Sequence, residues 1–295
     1  MSVVARRTLL YLAAAMVLAF AAGPVLLAAV GSVVPDRVLF DPDRSIFDGG
    51  ATFDNYRYIF TGQLPAAYMT EGANRAMISD AARQVPGSLW NSAQISLSVL
   101  ALNLLLGAPA AFAFARMIFP GKKLTFLFII LSPLVPTIAL VTPIYMIVDN
   151  LGLLGTKLAV ILVHTARSLP FTILILSVFF RQLPKELFEA AFLDGCDRFE
   201  SFRRIALPLA LPPICATGLF AFMLSYTEFL FAMVLSGDAR SRPLSVVMAA
   251  LARNTDVSWS LLNSAIFIAI LPTLLVVVIV WRYVVEGLVS GAVKG

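Results

Sequence analysis

Hydrophobic residues along this chain are gathered into long blocks, and shorter polar stretches separate them. Six blocks are long enough to cross the hydrocarbon layer of a membrane, which takes about 20 helical residues. They cover approximately residues 9–34, 88–114, 124–148, 158–180, 209–235 and 263–285. Because backbone amides find no water partner in lipid, each block is expected to be helical. The pattern therefore predicts an all-α membrane protein with six transmembrane helices.

The composition agrees with a membrane protein. The chain has 295 residues, of which 60% are hydrophobic and 13% charged, and its mean hydropathy is +0.90. A soluble domain would carry about 25% charged residues. Arg6 and Arg7 precede the first block as in a secretory signal, but a cleavable apolar region covers only about 7–15 residues. This block is longer and reaches Pro35 without a small-x-small site close to it, so we expect an uncleaved first helix.

Positively charged residues are concentrated on one side of the predicted helices. They are Arg6, Arg7, Arg116, Lys122, Lys123, Arg181, Lys185, Arg198, Arg203 and Arg204. The short stretch 149–157 on the opposite side contains one positively charged residue, Lys157. Since Lys and Arg beside membrane helices favour the cytoplasmic side, both termini are expected to be cytoplasmic. The net charge of +5 arises largely from these residues and requires no nucleic-acid partner.

Few side chains in this sequence suit conventional catalysis. His164 is the sole histidine, and the two cysteines, Cys196 and Cys215, fall near the predicted cytoplasmic side, where thiols stay reduced. These residues supply neither a metal site nor a hydrolase triad. His164 is interpreted as a packed or pore-adjacent polar residue, with a proton carrier as the alternative. The chain also lacks the Gly-x-x-x-x-Gly-Lys-Ser/Thr loop that binds phosphate in ATPases.

The polar connection over residues 181–208 has the pattern of two short helices. Pro184 can begin a helix because it needs no amide partner, and Gly195 can take the left-handed conformation that ends one. A second short helix is expected after that glycine, so that the pair projects from the membrane at an angle. An amphipathic helix on the lipid surface is the alternative. That alternative does not explain the small residues Ala190 and Ala191 or the glycine turn.

The residue spacing in this segment resembles the EAA loop of permease subunits from binding-protein-dependent ABC importers. The matching positions are Glu189, Ala190, Ala191, Gly195, Ile205, Leu207 and Pro208. The ending of the chain, from Gly287 to Gly295, resembles the carboxy-terminal docking tail of maltose- and trehalose-type permeases. Shorter pieces, in the same order, extend the resemblance over most of the chain: Phe53-Asp54-Asn55-Tyr56, Asn91-Ser92, Ala111 to Arg116, Pro143-Ile144-Tyr145, Leu151-Gly152-Leu153 and Pro170-Phe171.

This resemblance implies the type I ABC importer permease fold, with cytoplasmic coupling helices, in a bacterial or archaeal cytoplasmic membrane. It implies that the EAA residues from Glu189 to Gly195 would seat in a cleft of an ATPase subunit. It also implies that the tail would reach, extended, between two ATPases, although a frayed terminus is the default expectation for a chain end. The tail residues are Gly291, Ala292, Val293, Lys294 and Gly295.

The resemblance further implies that the chain works within a complex and is not an enzyme. The expected partners are a second permease subunit that forms a heterodimer with it, two ATPase subunits and an extracytoplasmic substrate-binding protein. ATP and Mg²⁺ would be bound by the ATPases, so that this chain holds no cofactor or metal of its own. The implied function is inward movement of a carbohydrate. A glycerol-phosphate or polyol substrate is the alternative within this class, and an ion-coupled secondary transporter is the alternative outside it.

Candidate residues of the translocation pathway lie mainly in the fifth block. The stretch Tyr226–Phe229 aligns with a family pattern that usually reads Trp-Asn-Glu/Asp-Phe, and it departs at the first two positions. An ionisable residue such as Glu228 is costly within a membrane unless it faces protein or water. Arg167 in the fourth block is a possible partner, and both a structural pairing and a pathway role are open. The candidates are Asn91, Tyr226, Thr227 and Glu228.

The sequence divides into four parts. They are a first transmembrane helix at 1–34, an extracytoplasmic segment at 35–87, a five-helix core at 88–285 that includes the loop 181–208, and a cytoplasmic tail at 286–295. Prolines 133, 136 and 143 in the third block predict a kinked or discontinuous helix, which serves either packing or gating.

The extracytoplasmic segment is expected to contain two short helices. One begins near Thr52, with Tyr56, Ile59 and Phe60 on one face, and the other covers 74–84. Residues 61–87 are interpreted as an insertion, and we hypothesise that it contacts the binding protein or the second permease.

Overall fold

The computed structural model of this chain describes residues 3–39, 41, 43, 45, 50–63, 80–253 and 257–292. The regular structure of these residues is helical, as predicted. The helices are α1 (Val3–Val33), α2 (Asp36–Leu39), α3 (Asp54–Thr61), a 3₁₀ helix (Asp80–Gln84), α4 (Val85–Arg116), α5 (Lys122–Leu131), α6 (Thr137–Asn150), α7 (Lys157–Gln182), α8 (Lys185–Leu193), α9 (Arg198–Ser201), α10 (Leu207–Leu209), α11 (Leu211–Tyr226), α12 (Leu230–Leu235), α13 (Leu244–Arg253) and α14 (Trp259–Ala292).

Four of the described helices, α1, α4, α7 and α14, are long and apolar enough to cross a membrane unbroken. Two further crossings are bent pairs. The stretch 122–134 meets α6 at 105°, and the stretch 198–209 meets α11 at 81°. With each pair counted as one span, the described part of the chain has up to six crossings by length and composition, as many as predicted. The fifth differs in its bounds, because this pair covers 198–226 whereas the predicted block covers 209–235. The orientation of the termini and the limits of the four sequence parts stay predictions.

The third crossing is broken where its prolines predicted a discontinuity. Helix α5 ends in a short 3₁₀ turn over Ser132–Leu134, and the backbone is then extended at Val135 and Pro136. Pro136 immediately precedes α6, a place where its missing N–H costs nothing. Pro143, by contrast, lies inside α6. The sharp bend therefore follows from the first two prolines.

The chain forms two compact units, one of residues 1–86 and 247–271 and the other of residues 87–246 and 272–295. In the first unit, polar side chains join α1, α3 and the beginning of α14. The Tyr56 hydroxyl donates to Ser32 Oγ at 2.7 Å, and Asn55 Nδ2 donates to Ser260 Oγ at 2.8 Å. Ser264 Oγ donates to the Ser32 carbonyl at 3.0 Å. Such bonds are well suited to an environment that offers little water.

The helix expected near Thr52 is α3, but its buried face differs from the predicted one. Asn55, Tyr58 and Ile59 are buried, whereas Phe60 is 61% exposed. The sequence pattern alone did not show which neighbours α3 would meet. Burial, together with the nearby Asp80 carboxylate, raises the pKa of the Tyr58 phenol. Of the second expected helix, residues 80–84 form the 3₁₀ helix, and 74–79 lie outside the described residues.

In the second unit, α4 and α7 approach each other closely through a small residue. A Cβ added at Gly107 of α4 would lie 2.5 Å from Thr172 Cγ2 of α7. Beside this contact, Asn103 Nδ2 donates to Ser168 Oγ at 2.7 Å, and Thr172 Oγ1 donates to Asn103 Oδ1 at 3.0 Å. Glycine at the contact and polar side chains across it are the usual means of packing membrane helices. Helix α7 carries residues of both candidate sites described below, whereas α4 carries residues of the first site only.

Candidate functional site

The EAA loop, residues 181–208, forms a helix, a turn and a second helix. Helix α8 ends at Leu193, and Gly195, two residues later, has a φ of +85°, in the left-handed region. The Cys196 amide donates to the Ala191 carbonyl at 2.9 Å, and the Gly195 amide donates to the Phe192 carbonyl at 3.1 Å. This pair of bonds is the Schellman motif, which satisfies the last carbonyls of a helix. The glycine turn expected from the sequence is therefore present.

The second helix of the loop begins with a capping box. Asp197 Oδ1 accepts from the Glu200 amide at 2.7 Å, while Glu200 Oε2 accepts from the Asp197 amide at 3.3 Å. The reciprocal bonds satisfy donors that a helix start leaves unpaired. From α9 the chain continues through a π-helical turn, Phe202–Ala206, into α10. Both ends of the Gly195 turn are thus fixed by local hydrogen bonds.

Four phenylalanines fasten the loop to the transmembrane helices. The Phe112 ring of α4 lies 5.9 Å from Phe188 of α8 and 5.2 Å from Phe202, which follows α9. Phe112 and Phe180 of α7 meet edge to face at 5.7 Å. Aromatic rings at such separations attract each other beyond the area they bury. This phenylalanine cluster, Phe112, Phe180, Phe188 and Phe202, joins both loop helices to α4 and α7.

Arg116, in the last turn of α4, adds hydrogen bonds between α4 and the end of α7. Its Nε donates to the Phe180 carbonyl at 2.8 Å, and its Nη2 donates to the Leu183 carbonyl. The guanidinium carbon also lies 4.7 Å from the centre of the Phe188 ring. Sequence reasoning used Arg116 for the orientation of the helices and both residues for the family resemblance, but it did not predict that Arg116 and Phe112 contact the loop. Their i, i+4 spacing at the end of a predicted span places them on one helix face and could have suggested a joint role.

The EAA residues do not share one environment. Glu189, Ala190, Leu207 and Pro208 are exposed, Ile205 is half-buried, and Ala191 is buried. The expectation that Ala191 would seat in a partner's cleft requires correction, because its own chain already leaves it only 5% exposed. Apolar side chains that stay on the surface of the loop are Leu187, Phe192, Leu193 and Phe199. The surface offered to a partner therefore includes more of α8 and α9 than the EAA residues alone.

The tail expected to be extended is helical where it is described. Helix α14 runs through Gly291 and ends at Ala292. Val293, Lys294 and Gly295 lie outside the described residues. The prediction of an extended tail is thus wrong for the first two of its residues, and it stays a prediction for the last three.

Glu228 lies in the break between α11 and α12, within the fifth hydrophobic block of the sequence. Its Oε1 accepts from the Phe231 amide at 3.1 Å and from Arg167 Nη1 at 3.2 Å. Its Oε2 accepts from the Ala232 amide at 3.0 Å and lies 3.0 Å from His164 Nε2. The carboxylate therefore caps α12 and binds two side chains of α7. The possible partner named from the sequence, Arg167, is confirmed, and His164 joins the pair.

The cluster around Glu228 continues to other helices. Arg167 Nη2 donates to Thr137 Oγ1 at 3.0 Å, at the start of α6, and its guanidinium lies 5.2 Å from the centre of the Phe231 ring. His164 Nδ1 lies 2.9 Å from Ser225 Oγ. The cluster thus connects α6, α7, α11 and α12. Its members differ in exposure, from 2% for the His164 side chain to 11% for Glu228 and 37% for Arg167.

A cavity of about 820 Å³ opens beside this cluster. Thr137, Arg167, Thr227 and Glu228 are among its polar lining residues. Its walls are otherwise mostly aliphatic or aromatic. They include Leu140, Ile144, Leu162, Phe171, Leu224, Phe229 and Leu230. Two of the four pathway candidates from the sequence, Thr227 and Glu228, therefore meet at one cavity.

The other two pathway candidates, Tyr226 and Asn91, are buried among residues of this chain away from the cavity. Tyr226 is buried and stacks on Phe222, with ring centres 5.6 Å apart and planes inclined by 14°. Asn91 is buried and donates from Nδ2 to the carbonyls of Ala239 and Arg242, at 2.9 and 3.0 Å. Neither residue lines the cavity. In the described structure, Asn91 fastens the connection between α12 and α13 to α4.

Comparison with known proteins adds to this geometry. Residues 103–290 match a family described as "binding-protein-dependent transport system inner membrane component". The chain is 34% identical over 256 residues to the trehalose transport system permease protein SugB of Mycobacterium tuberculosis, with 86% of each chain covered. It is 32% identical to the trehalose/maltose transport system permease protein MalG of Thermococcus litoralis, over 74% of this chain and 79% of that one.

A third relative is the diacetylchitobiose uptake system permease protein DasC of Streptomyces coelicolor, 33% identical over 70% of this chain and 74% of the relative. Among solved structures, the chain resembles one in a bacterial ABC transporter involved in the import of the acidic polysaccharide alginate. The TM-score is 0.74 with 18% identity, and 96% of this chain and 99% of that chain are covered. At this identity, the likeness concerns the fold.

Proposed function

Because the chain belongs to the family of binding-protein-dependent transport system inner membrane components, we propose that it is the permease subunit of an ATP-driven importer that moves a carbohydrate into the cell. The named substrates of the relatives described above support the carbohydrate class, since they are trehalose, maltose and diacetylchitobiose. Permease subunits of this family are not themselves enzymes. This chain contributes part of the membrane passage, together with the loop through which that passage is opened and closed.

The observation that carries this proposal is the way the EAA loop is built. Its outer surface combines the exposed residues Glu189 and Ala190 with the exposed apolar side chains of Leu193 and Phe199, which are 89% and 66% exposed. Exposed apolar side chains on a charged, polar loop are typical of interaction sites, and we infer that the partner here is a protein. Its inner surface is fastened to α4 and α7 by the phenylalanine cluster and Arg116. A partner that moves the outer surface would therefore move the transmembrane helices.

We propose that this partner is an ATPase subunit. The chain has no phosphate-binding loop of its own, so ATP and Mg²⁺ are bound by two separate ATPase subunits. Closure of the ATPases would shift the loop and reopen the passage toward the binding protein outside. A second permease subunit completes the passage. The tail, from Gly291 to Gly295, is proposed to reach the ATPases as well.

The ion-coupled alternative receives no support from the geometry of Glu228. A carboxylate has about four acceptor positions; three are taken by Arg167 and the amides of Phe231 and Ala232, and the His164 ring, with Nε2 at 3.0 Å, lies at the fourth. A carrier of protons or cations needs an ionisable group that can change its partners. Glu228 instead has the surroundings of a fixed structural anion, so transport is proposed to draw its energy from ATP.

Purification and reconstitution test this function. The chain would be isolated from its own membrane in mild detergent, together with the subunits that accompany it, and placed in liposomes with the binding protein. We expect sugar uptake that requires ATP and the binding protein. Glu189→Lys is expected to abolish this uptake without loss of the chain from the membrane. Sugar transport by the chain alone, without ATP, would contradict the proposal.

A further inference from the structure

The cavity of about 820 Å³ beside Arg167 carries an inference about the substrate itself, which rests on the proposed function. We propose that this cavity is a contact site for an uncharged sugar on its way through the membrane, and that Arg167 and Thr227 donate or accept hydrogen bonds to its hydroxyl groups. The volume lies within the range of about 300–1,000 Å³ typical of small-molecule pockets.

Arg167 has hydrogen-bonding capacity left for a ligand. A guanidinium carries five N–H donors. Two of them are used, one toward Glu228 and one toward Thr137, which leaves three without an acceptor among the described residues. The Arg167 side chain is 37% exposed and lines the cavity. An arginine inside a membrane span is costly in free energy if it faces only lipid. The three remaining N–H groups are therefore expected to bind a polar ligand in the cavity.

The donors of Arg167 are held in place before any ligand arrives. Glu228 and Thr137 fix two edges of the guanidinium, and the Phe231 ring lies beneath it, 5.2 Å from the guanidinium carbon. Glu228 in turn is held by the amides of Phe231 and Ala232. A donor that needs no rearrangement binds its ligand with little loss of conformational entropy. Glu228 is therefore a positioning residue, because its own acceptor positions are occupied.

The charge of the cluster favours an uncharged ligand. Arg167 and Glu228 form an ion pair at 3.2 Å, so the pair presents little net charge to the cavity. A phosphorylated or carboxylated substrate would need a cation that is not already neutralised. Sugar hydroxyl groups need only donors and acceptors, which Arg167 and the exposed Thr227 hydroxyl provide. The aliphatic and aromatic walls, among them Phe171 and Phe229, suit the apolar faces of sugar rings.

Photo-cross-linking tests this contact directly. A benzophenone amino acid would replace Thr227 in the complete importer, which would be irradiated during uptake of radiolabelled trehalose, maltose or diacetylchitobiose. The same replacement at Thr125 is the control, because both threonines are exposed and donate to the carbonyl four residues earlier, at 2.9 and 3.1 Å. Only Thr227 lines the cavity. We expect radiolabel at position 227 and none at position 125.

Uptake measurements accompany the cross-linking. Thr227→Val and Arg167→Lys are each expected to lower the rate of sugar uptake by about tenfold, the effect of losing one hydrogen bond, while Thr125→Val leaves it unchanged. Arg167→Lys keeps a positive charge beside Glu228 but cannot bond Glu228 and Thr137 through one planar group, whereas Thr227→Val does not touch the ion pair, so Thr227→Val is the variant expected to assemble normally.

The outcomes separate this inference from the function on which it rests. If the unaltered importer takes up a sugar but position 227 is labelled no more than position 125, the contact site is refuted and the function stands. A cross-link from position 227 to a protein chain or a lipid, with or without sugar, would also refute it. Uptake of none of the three sugars, with uptake of glycerol 3-phosphate instead, would contradict the carbohydrate assignment and the uncharged site together.

Discussion

The guanidinium carbon of Arg116 lies 4.7 Å from the centre of the Phe188 ring, and Phe188 belongs to the helix that carries Glu189 and Ala190. The same side chain donates to the carbonyls of Phe180 and Leu183 at the end of α7. One residue of α4 therefore holds both the end of a neighbouring transmembrane helix and the first helix of the EAA loop. A displacement of the loop is therefore expected to move α4 as well.

Replacement of Arg116 is expected to uncouple ATP hydrolysis from uptake. Arg116→Gln removes the charge-assisted bonds to the two carbonyls and the contact with Phe188, so movement of α8 reaches α4 less directly. We expect uptake per ATP hydrolysed to fall at least about tenfold, with the complex still assembled. Arg181→Gln is the control, because Arg181 also lies over a ring, 5.2 Å from Phe126. Equal losses in both variants would count against a special role for Arg116.

Gly195 is expected to tolerate no Cβ without strain. Its φ of +85° costs an alanine roughly 1–2 kcal/mol, although no atom lies within 4 Å of the added Cβ. Gly195→Ala should therefore weaken the loop by conformation alone, and Gly195→Asn should do so less, because asparagine enters the left-handed region more readily. Uptake and thermal unfolding of the purified complex would show this order. Gly87→Ala, also without contacts but in a helix at negative φ, is expected to be harmless.

The Glu228 cluster is expected to contribute to stability far more than a surface ion pair does. Glu228→Gln leaves Arg167 without its carboxylate and should lower the free energy of unfolding by about 1–3 kcal/mol. Glu200→Gln is the matched variant, since Glu200 pairs with Arg204 at 3.0 Å while both side chains are well exposed. Its effect should stay within about 1 kcal/mol, and glutamine can still complete the capping box. Thermal or denaturant unfolding in detergent measures both, and similar effects would contradict the structural role of Glu228.

The close contact of α4 and α7 predicts that Gly107 cannot be enlarged without a shift of the helices. A Cβ at this position would meet Thr172 Cγ2 at 2.5 Å, well inside van der Waals contact, and overpacking of this kind costs about 1–3 kcal/mol. Gly107→Ala should lower the unfolding temperature of the complex. Gly23→Ala, in α1 and without a neighbour within 4 Å, is the control and is expected to change little.

Much of this protein follows from the sequence because the causes are local. A block of apolar residues long enough to span lipid must be helical wherever its neighbours lie, so the helical membrane fold was predictable. Pro133 and Pro136 break α5 from α6 because of their own rings, and Gly195 ends α8 because it alone accepts a positive φ without strain. The short helix, turn and second helix of 181–208 were predictable for the same reason, since they need only residues close in sequence. That this segment is an EAA loop came from its resemblance to a known family.

The tertiary structure decided which side chains face inward and what they meet. Ala191 is buried and Ala190 exposed, although the two are neighbours of the same type, because only the fold places α8 beside α4. Asn91 donates to the carbonyls of Ala239 and Arg242, 148 and 151 residues away, and no pattern around Asn91 indicates these acceptors. His164 and Glu228 are likewise 64 residues apart. Such pairings depend on how whole helices pack, and the packing of one helix against another is set by shape and hydrogen bonding over the entire contact, which no local pattern contains.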